Sequence, residues 1–166
     1  TKYMVFSKRS TNLPDASLSL NGYALEKVNV IKFLGIFFDS ALKWNSHINY
    51  VILSCQNRIN LLKILANKSW GSDTVSLMRI YYATIRSKID YGCICYDSAN
   101  RNLLNKLETV QNTAIRIATG AFRTSPVSSL RVLVNEPPLY LRRQFLSLCY
   151  AGRVSGLTEH PIYRVT

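Results

Sequence analysis

The sequence VIKFLGIFFDSALKWNSHI, residues 30–48, marks the point at which the chain changes from one type of secondary structure to another. Its first half, which ends at Phe38, is short, apolar and rich in β-branched and aromatic residues, a composition that favours a buried strand. Asp39 ends that run, and Asn45 or Ser46 can then cap a helix, because either side chain accepts a hydrogen bond from an unpaired backbone N–H. We therefore expect strands before this stretch and helices after it, which is an α+β fold class.

The sequence pattern of residues 1–39 predicts a small sheet of three or four antiparallel strands. Its hairpin is the clearest element, since Asn21 and Gly22 suit the two positive-φ positions of a type I′ turn. A sheet this small leaves an apolar face and open edges, so we expect it to need further protein around it. The predicted elements are a strand over 2–8, a loop over 11–17, a hairpin over 18–25 and a strand over 28–38.

After residue 44 the hydrophobic spacing is helical. Ser72 or Asp73 is suited to cap the second helix, and Gly120 to end the third. Pro126 can open the fourth at the first helical position, where its missing N–H costs nothing. The predicted segments are helices over 45–67, 72–89 and 101–119, a short helix from Pro126, a fifth helix from Pro138 through Leu148, and an irregular or extended segment over 90–99.

The first of these helices has three distinct faces. One apolar face contains Ile48, Val51, Ile52, Cys55, Ile59 and Leu62, and a second contains Leu53, Leu61, Ile64 and Leu65. Between them runs a strip that we call the polar stripe, made of Asn49, Gln56, Asn60, Lys63 and Asn67. A helix that is apolar on two sides packs against two neighbours, so we expect the central helix of a bundle, with the stripe left open.

The charge of the chain favours a polyanionic partner. Lysines and arginines number 21 against 9 acidic residues, a net charge of +12, and the basic residues are spread along the whole sequence. The longest apolar runs, such as residues 33–38, fall far short of the ~20 residues of a membrane-spanning helix, so we expect nucleic acid and no membrane.

Amides and a lysine on the polar stripe suit a wide, shallow groove with sugars and phosphates exposed. The alternative is that the stripe is only the solvated side of a buried helix. Six further basic residues can add phosphate contacts around it: Arg58, Lys68, Arg79, Arg86, Arg116 and Arg123.

The sequence shows no catalytic centre and no metal site. Four aspartates lie at element ends, where capping or turn formation is the ordinary role: Asp39, Asp73, Asp90 and Asp97. His47 lies near a helix start, and we expect it to pack or cap rather than to act as a general base. The cysteines show no CxxC pair, so we expect buried free thiols in a reducing compartment, with a disulfide or a metal site as alternatives: Cys55, Cys93, Cys95 and Cys149.

Seven segments of the chain are distinctive in their order and spacing. They are TKYMVF at 1–6, KFLGI at 32–36, LKWNSHI at 42–48, residues 81–92, QNTAIR at 111–116, TGAFRTSP at 119–126 and PLYLRR at 138–143. Together they resemble the late palm and early thumb of non-LTR (LINE-type, Jockey-like) retrotransposon reverse transcriptases. The resemblance covers about residues 1–150.

The resemblance implies an RNA-directed DNA polymerase whose Mg²⁺ is held by palm aspartates that this sequence lacks, so we expect an internal fragment without activity of its own. Phe33, Leu34 and Gly35 match the hairpin that grips the primer strand, and the helices after Trp44 match the thumb, which lies along the minor groove of the hybrid between RNA template and DNA primer. The implied organisation is a palm remnant over 1–39, a helical thumb and connection over 40–150 and a linker over 151–166. The family also implies palm and fingers elsewhere in the parent protein, and an intracellular location in a cytoplasmic ribonucleoprotein and the nucleus.

Two other functions fit the same sequence. The chain can be a stand-alone basic nucleic-acid-binding module, which predicts a folded monomer. It can also be a protein-interaction domain that uses exposed strand edges and an apolar face, which predicts partner binding that persists at high salt.

Overall fold

The computed structural model describes residues 1–7, 17–67 and 69–157, and it has the α+β architecture expected, with short strands followed by helices. The strands form three separate pairs. Two pairs are antiparallel and one, β1 with β4, is parallel, so the expectation of an all-antiparallel sheet is wrong. The strands are β1 Lys2–Tyr3, β2 Ser19–Leu20, β3 Tyr23–Ala24, β4 Glu26–Lys27, β5 Val30–Phe33 and β6 Ile36–Asp39.

The predicted hairpin is confirmed, because β2 and β3 pair across Asn21 (φ 50°) and Gly22 (φ 81°). The strand predicted over 2–8 is shorter, since β1 covers Lys2–Tyr3. Residue 8 lies outside the described residues, as do residues 11–16 of the loop predicted over 11–17.

The run predicted as one buried strand over 28–38 is in fact a hairpin. Leu34 (φ 46°) and Gly35 (φ 83°) form a turn that separates β5 from β6, and Phe33 pairs with Ile36 across it. Only Ile36 of this hairpin is buried. The apolar composition of the run concealed the turn, because Gly35 is the only conventional turn residue between Val30 and Phe38.

The helices are α1 Asn45–Leu65, α2 Thr74–Tyr81, α3 Ser87–Asp90, α4 Cys93–Tyr96, α5 Arg101–Thr119, α6 Val127–Leu133 and α7 Leu139–Ser155. A π-helical turn, Tyr82–Arg86, joins α2 to α3 without a break, so the helix predicted over 72–89 is present. Asp73 caps it by accepting hydrogen bonds from the N–H groups of Val75 and Ser76. The segment predicted as irregular over 90–99 contains α4, which follows the left-handed Gly92 (φ 68°).

The start of α1 differs from the prediction that Asn45 or Ser46 caps it. Trp44 occupies the cap position with φ 65°, and no side chain caps the helix there. The Asp39 carboxylate instead accepts hydrogen bonds from the backbone N–H groups of Lys43 and Trp44, at 2.8 and 2.6 Å. The end of β6 is thereby fixed to the start of α1.

The core lies mainly between α1, the α2–α3 helix and α5. The first predicted apolar face of α1 is buried apart from the partly exposed Ile52. The second is not: Leu53 is 69% exposed and Ile64 60%, so α1 is covered on one side only by the described residues. Val75 at the start of α2 is exposed as well.

The later helices agree closely with the predicted bounds. α5 covers Arg101–Thr119 and ends at the left-handed Gly120 (φ 64°). Pro126 and Pro138 occupy the cap positions before α6 and α7 rather than the first helical position. α7 continues to Ser155, so the first five residues of the segment predicted as a linker are helical.

Candidate nucleic-acid interface

All five side chains of the polar stripe are solvent-exposed, and four of them lie on α1. Asn67 lies beyond the end of α1 at Leu65, so the helix predicted over 45–67 is two residues too long. Its Oδ1 accepts hydrogen bonds from the N–H and the hydroxyl of Ser69. The opposite side of the helix is buried, with Ile48, Val51 and Ile59 almost inaccessible. A stripe sealed inside the bundle is therefore excluded, and contact between the stripe and nucleic acid stays a prediction.

A groove runs between α1 and α5 beside the stripe. Gln56 lines its first part together with Lys106, Thr109 and Thr113 of α5. The two threonines also line the second part, which continues along Lys63. We call this the α1–α5 groove. Lys106 was missed by the sequence analysis, because its position on α5 relative to α1 depends on tertiary packing.

The far end of the α1–α5 groove is basic. Arg116 and Arg123 line it with Lys63, and no carboxylate of the described residues is among its lining groups. Arg116 is partly buried: its Nη2 donates to the Ser125 carbonyl at 3.4 Å, while its Nε is buried without a hydrogen-bond partner in the described structure. Arg123 is exposed. The groove therefore combines amide, hydroxyl and cationic groups with no compensating negative charge of its own.

The other predicted phosphate contacts are not all in this groove. Arg79 is exposed on α2, and Arg58 is half-buried with its Nη1 donating to the Ser54 carbonyl at 2.6 Å. Lys68 lies outside the described residues.

Arg86 forms an ion pair within the protein. Its Nη1 lies 2.8 Å from Oε2 of Glu136, and its guanidinium stacks over Tyr82 at 4.9 Å from the ring centroid. Glu136 is buried and also accepts hydrogen bonds from Tyr81 and Gln111. Desolvation raises the pKa of this carboxyl, and Arg86 opposes that shift. Arg86 is therefore part of the scaffold rather than of an exposed basic surface.

Two predicted capping aspartates form ion pairs instead. Asp90 accepts from Nη2 of Arg142 at 3.0 Å, and Asp97 accepts from Nε of Arg143 at 2.7 Å. Both pairs hold α7 against the segment around α4. Asp39 and Asp73 have the capping and turn roles expected of them.

The tip of the β5–β6 hairpin is apolar and exposed, yet firmly held. Phe33 is 61% and Leu34 74% exposed. The Tyr91 hydroxyl donates to the Leu34 carbonyl at 2.6 Å, and a Cβ on Gly35 would lie 3.4 Å from Cε1 of Tyr91. The three residues that resemble a primer grip thus project from a supported turn.

His47 is the packing residue that was expected. It is buried, its Nδ1 accepts from the Phe37 N–H at 3.3 Å, and its ring lies 5.1 Å from that of Tyr96. Burial, with a smaller contribution from Lys88, lowers the pKa of the imidazole.

The cysteines are free thiols with different environments. Cys55 and Cys93 are buried, and desolvation raises the pKa of each to about 11. Cys95 is exposed and Cys149 half-buried, so the expectation of burial holds for two of the four.

The described ranges contain no group of three His, Cys, Asp or Glu side chains that could hold a metal ion. Among the helices of those ranges, none has both the length and the apolar character that crossing a membrane requires.

Comparison with known proteins gives one line of similarity. No family model and no solved structure matches the chain. Over 114 residues, 69% of its length, it is 24% identical to a probable RNA-directed DNA polymerase from transposon BS of Drosophila melanogaster. The chain is similar to a transposon polymerase. It covers only 13% of that protein's length, and at this identity the similarity supports a relationship with reverse transcriptases and no more.

Proposed function

We propose that this chain is the primer-grip hairpin and helical thumb of a non-LTR retrotransposon reverse transcriptase, and that it holds the template–primer hybrid. In this proposal the palm remnant is residues 1–39 and the thumb residues 40–150. The observation that carries it is the polar stripe, exposed beside the basic α1–α5 groove in a chain similar to a transposon polymerase.

The proposed binding mode follows from the chemistry of the exposed groups. Stripe amides can donate to and accept from sugar hydroxyls and base edges in the shallow minor groove of an A-form hybrid. Lys63, Lys106 and Arg123 can neutralise phosphates without reading the sequence. Phe33 and Leu34 at the hairpin tip offer apolar surface to a sugar–base face at the primer end. Binding of this kind is independent of sequence and weakens steeply as salt rises.

Mg²⁺ is the cofactor implied for the complete polymerase. The described residues do not fit it, because their carboxylates are dispersed in ion pairs and caps and do not converge. In this proposal palm carboxylates of the parent protein supply the metal site, and no catalytic step is assigned to this chain.

The test is a titration of the chain with an RNA–DNA hybrid at several salt concentrations. Lys63→Glu combined with Asn60→Asp should weaken binding by at least tenfold, since a phosphate contact is lost and negative charge is introduced. Arg153→Glu with Gln144→Glu is a matched control on α7, because it makes the same charge change at exposed positions of a different helix. Equal affinity of the two variants, both folded by circular dichroism, would overturn the assignment of the stripe.

A protein-interaction function has one structural observation in its favour. α7 exposes Phe145 (56%) and Leu148 (72%), and large apolar groups on a surface often mark contacts with other protein. Partner binding that is unchanged at high salt, in a chain without hybrid affinity at low salt, would favour this function over the first.

A further inference from the structure

Two lysines from different elements converge on one tyrosine ring. Nζ of Lys32 on β5 lies 5.3 Å from the ring centroid of Tyr50 on α1, and Nζ of Lys88 on α3 lies 4.8 Å from the same centroid. Lys32 also lies 5.4 Å from the ring of Phe37, its pairing partner on β6. We call Lys32, Tyr50 and Lys88 the two-lysine cluster.

The cluster carries uncompensated positive charge. Neither lysine forms an ion pair with any residue that the structure describes, whereas Arg86 and Arg142 are paired with carboxylates. Two like charges near one ring repel each other, and the ring quadrupole offsets this only in part. An anion placed between the two ammonium groups would remove the repulsion and gain charge-assisted hydrogen bonds from both.

The angular positions of residues around the axis of α1 show where the two-lysine cluster lies relative to the polar stripe. At 3.6 residues per turn, Tyr50 lies about 120° around the helix from Gln56, on the opposite border of the exposed side of α1. Exposed Leu53 and Ile64 lie between the two borders. The exposed side of α1 is therefore bordered by the α1–α5 groove on one side and by the two-lysine cluster on the other.

We infer that the two-lysine cluster binds the phosphodiester backbone of the second strand of a duplex whose first strand follows the α1–α5 groove. This inference rests on the proposed function and extends it with residues outside the polar stripe. A helix about 10 Å across fits a shallow minor groove, and cations on both borders then face both backbones. The Tyr50 ring and the hairpin hold the lysine side chains in place, which lowers the entropy cost of each contact.

The experiment compares double variants of the full chain by hybrid titration from low to moderate salt. Lys32→Gln with Lys88→Gln should weaken binding roughly tenfold and reduce the slope of log affinity against log salt by about two. Arg101→Gln with Arg153→Gln is the matched control, because it removes two exposed positive charges from the α5–α7 side. Lys32→Arg with Lys88→Arg should retain affinity, and thermal unfolding of all variants separates binding from folding.

The outcomes separate this inference from the proposed function. In one outcome the wild type binds the hybrid, Lys63→Glu with Asn60→Asp weakens that binding, and Lys32→Gln with Lys88→Gln binds as well as its control. The two-lysine cluster then does not bind the second backbone, and the proposed function stands. A wild type without hybrid affinity at low salt overturns both. A tenfold loss in the glutamine pair that the arginine pair does not show supports the inference.

Discussion

The two long sides of α5 are built from similar polar residues but serve different purposes. On the side facing α6 and α7, Arg131 donates to Glu108, Gln111 and Asn112, and Glu108 also accepts from the Tyr140 N–H at 3.0 Å. On the side facing α1, Lys106 has no ion-pair partner among the described residues. The net charge is thus distributed unevenly: arginines paired with acids hold the helices together on one side, and unpaired cations line a groove on the other.

The largest expected effect comes from the paired side. Glu136→Ala removes the acceptor shared by Tyr81, Gln111 and Arg86. The partly buried Arg86 guanidinium then keeps only its longer contact with Asp90, at 3.7 Å. We expect a loss of about 3 kcal/mol in the free energy of unfolding, measured by chemical denaturation. Hybrid affinity of the folded protein should not change. A loss below about 1 kcal/mol would show that this network does not hold the α6–α7 connection.

The opposite pattern is expected on the groove side. Lys106→Glu should weaken hybrid binding about tenfold and leave the unfolding free energy nearly unchanged, because the side chain is exposed and unpaired. Arg101→Glu, on the paired side of the same helix, is the control in the same titration. Equal losses of affinity would mean that overall charge, not the groove, determines binding.

A smaller effect concerns pH. The pKa of His47 in the folded protein lies below its ordinary value of 6.5, so between those two values the unfolded chain binds more protons than the folded one. Stability should therefore fall as pH drops from 6.5 through the folded pKa, by at most about 1.4 kcal/mol per pH unit. Denaturation curves of the wild type and His47→Gln at several pH values test this. The same pH dependence in both proteins would show that His47 does not contribute.

The smallest effect distinguishes the exposed apolar side of α1 from its buried side. Ile64→Gln should change stability by no more than about 0.5 kcal/mol, because the side chain is already in solvent. Ile59→Gln, on the buried side of the same helix, should cost several times as much. A large loss at position 64 would contradict the exposure of this side of α1.

The sequence predicted the helices well because their signals are local. Asp73 at a cap, Gly120 at a C-terminus and the 3.6-residue periodicity of α5 each act within a few residues. The composition of residues 28–38 did not predict the turn at Leu34, because an apolar run carries little turn information; only the resemblance to a primer-grip hairpin implied it. The exposure of Ile64 was missed as well, since periodicity shows that a face is apolar but not whether a partner is present.

The candidate site was predictable only in part for the same reason. Spacing along one helix identified the polar stripe, which is a property of α1 alone. Lys106 and the two-lysine cluster depend on how α1, α5 and the β5–β6 hairpin pack, and the pairing of Arg86 with Glu136 joins residues 50 apart in sequence. Hydrophobic periodicity along the sequence does not predict contacts between side chains of different elements.

The most direct measurement is a map of the backbone amide chemical shifts of the labelled chain as an RNA–DNA hybrid is added. The proposed function predicts the largest shifts along the polar stripe of α1, at Lys106 and Thr113 of α5 and at the β5–β6 hairpin tip, with little change along α7. Shifts concentrated on α7 and the Arg131 side of α5, with the polar stripe unchanged, would contradict it.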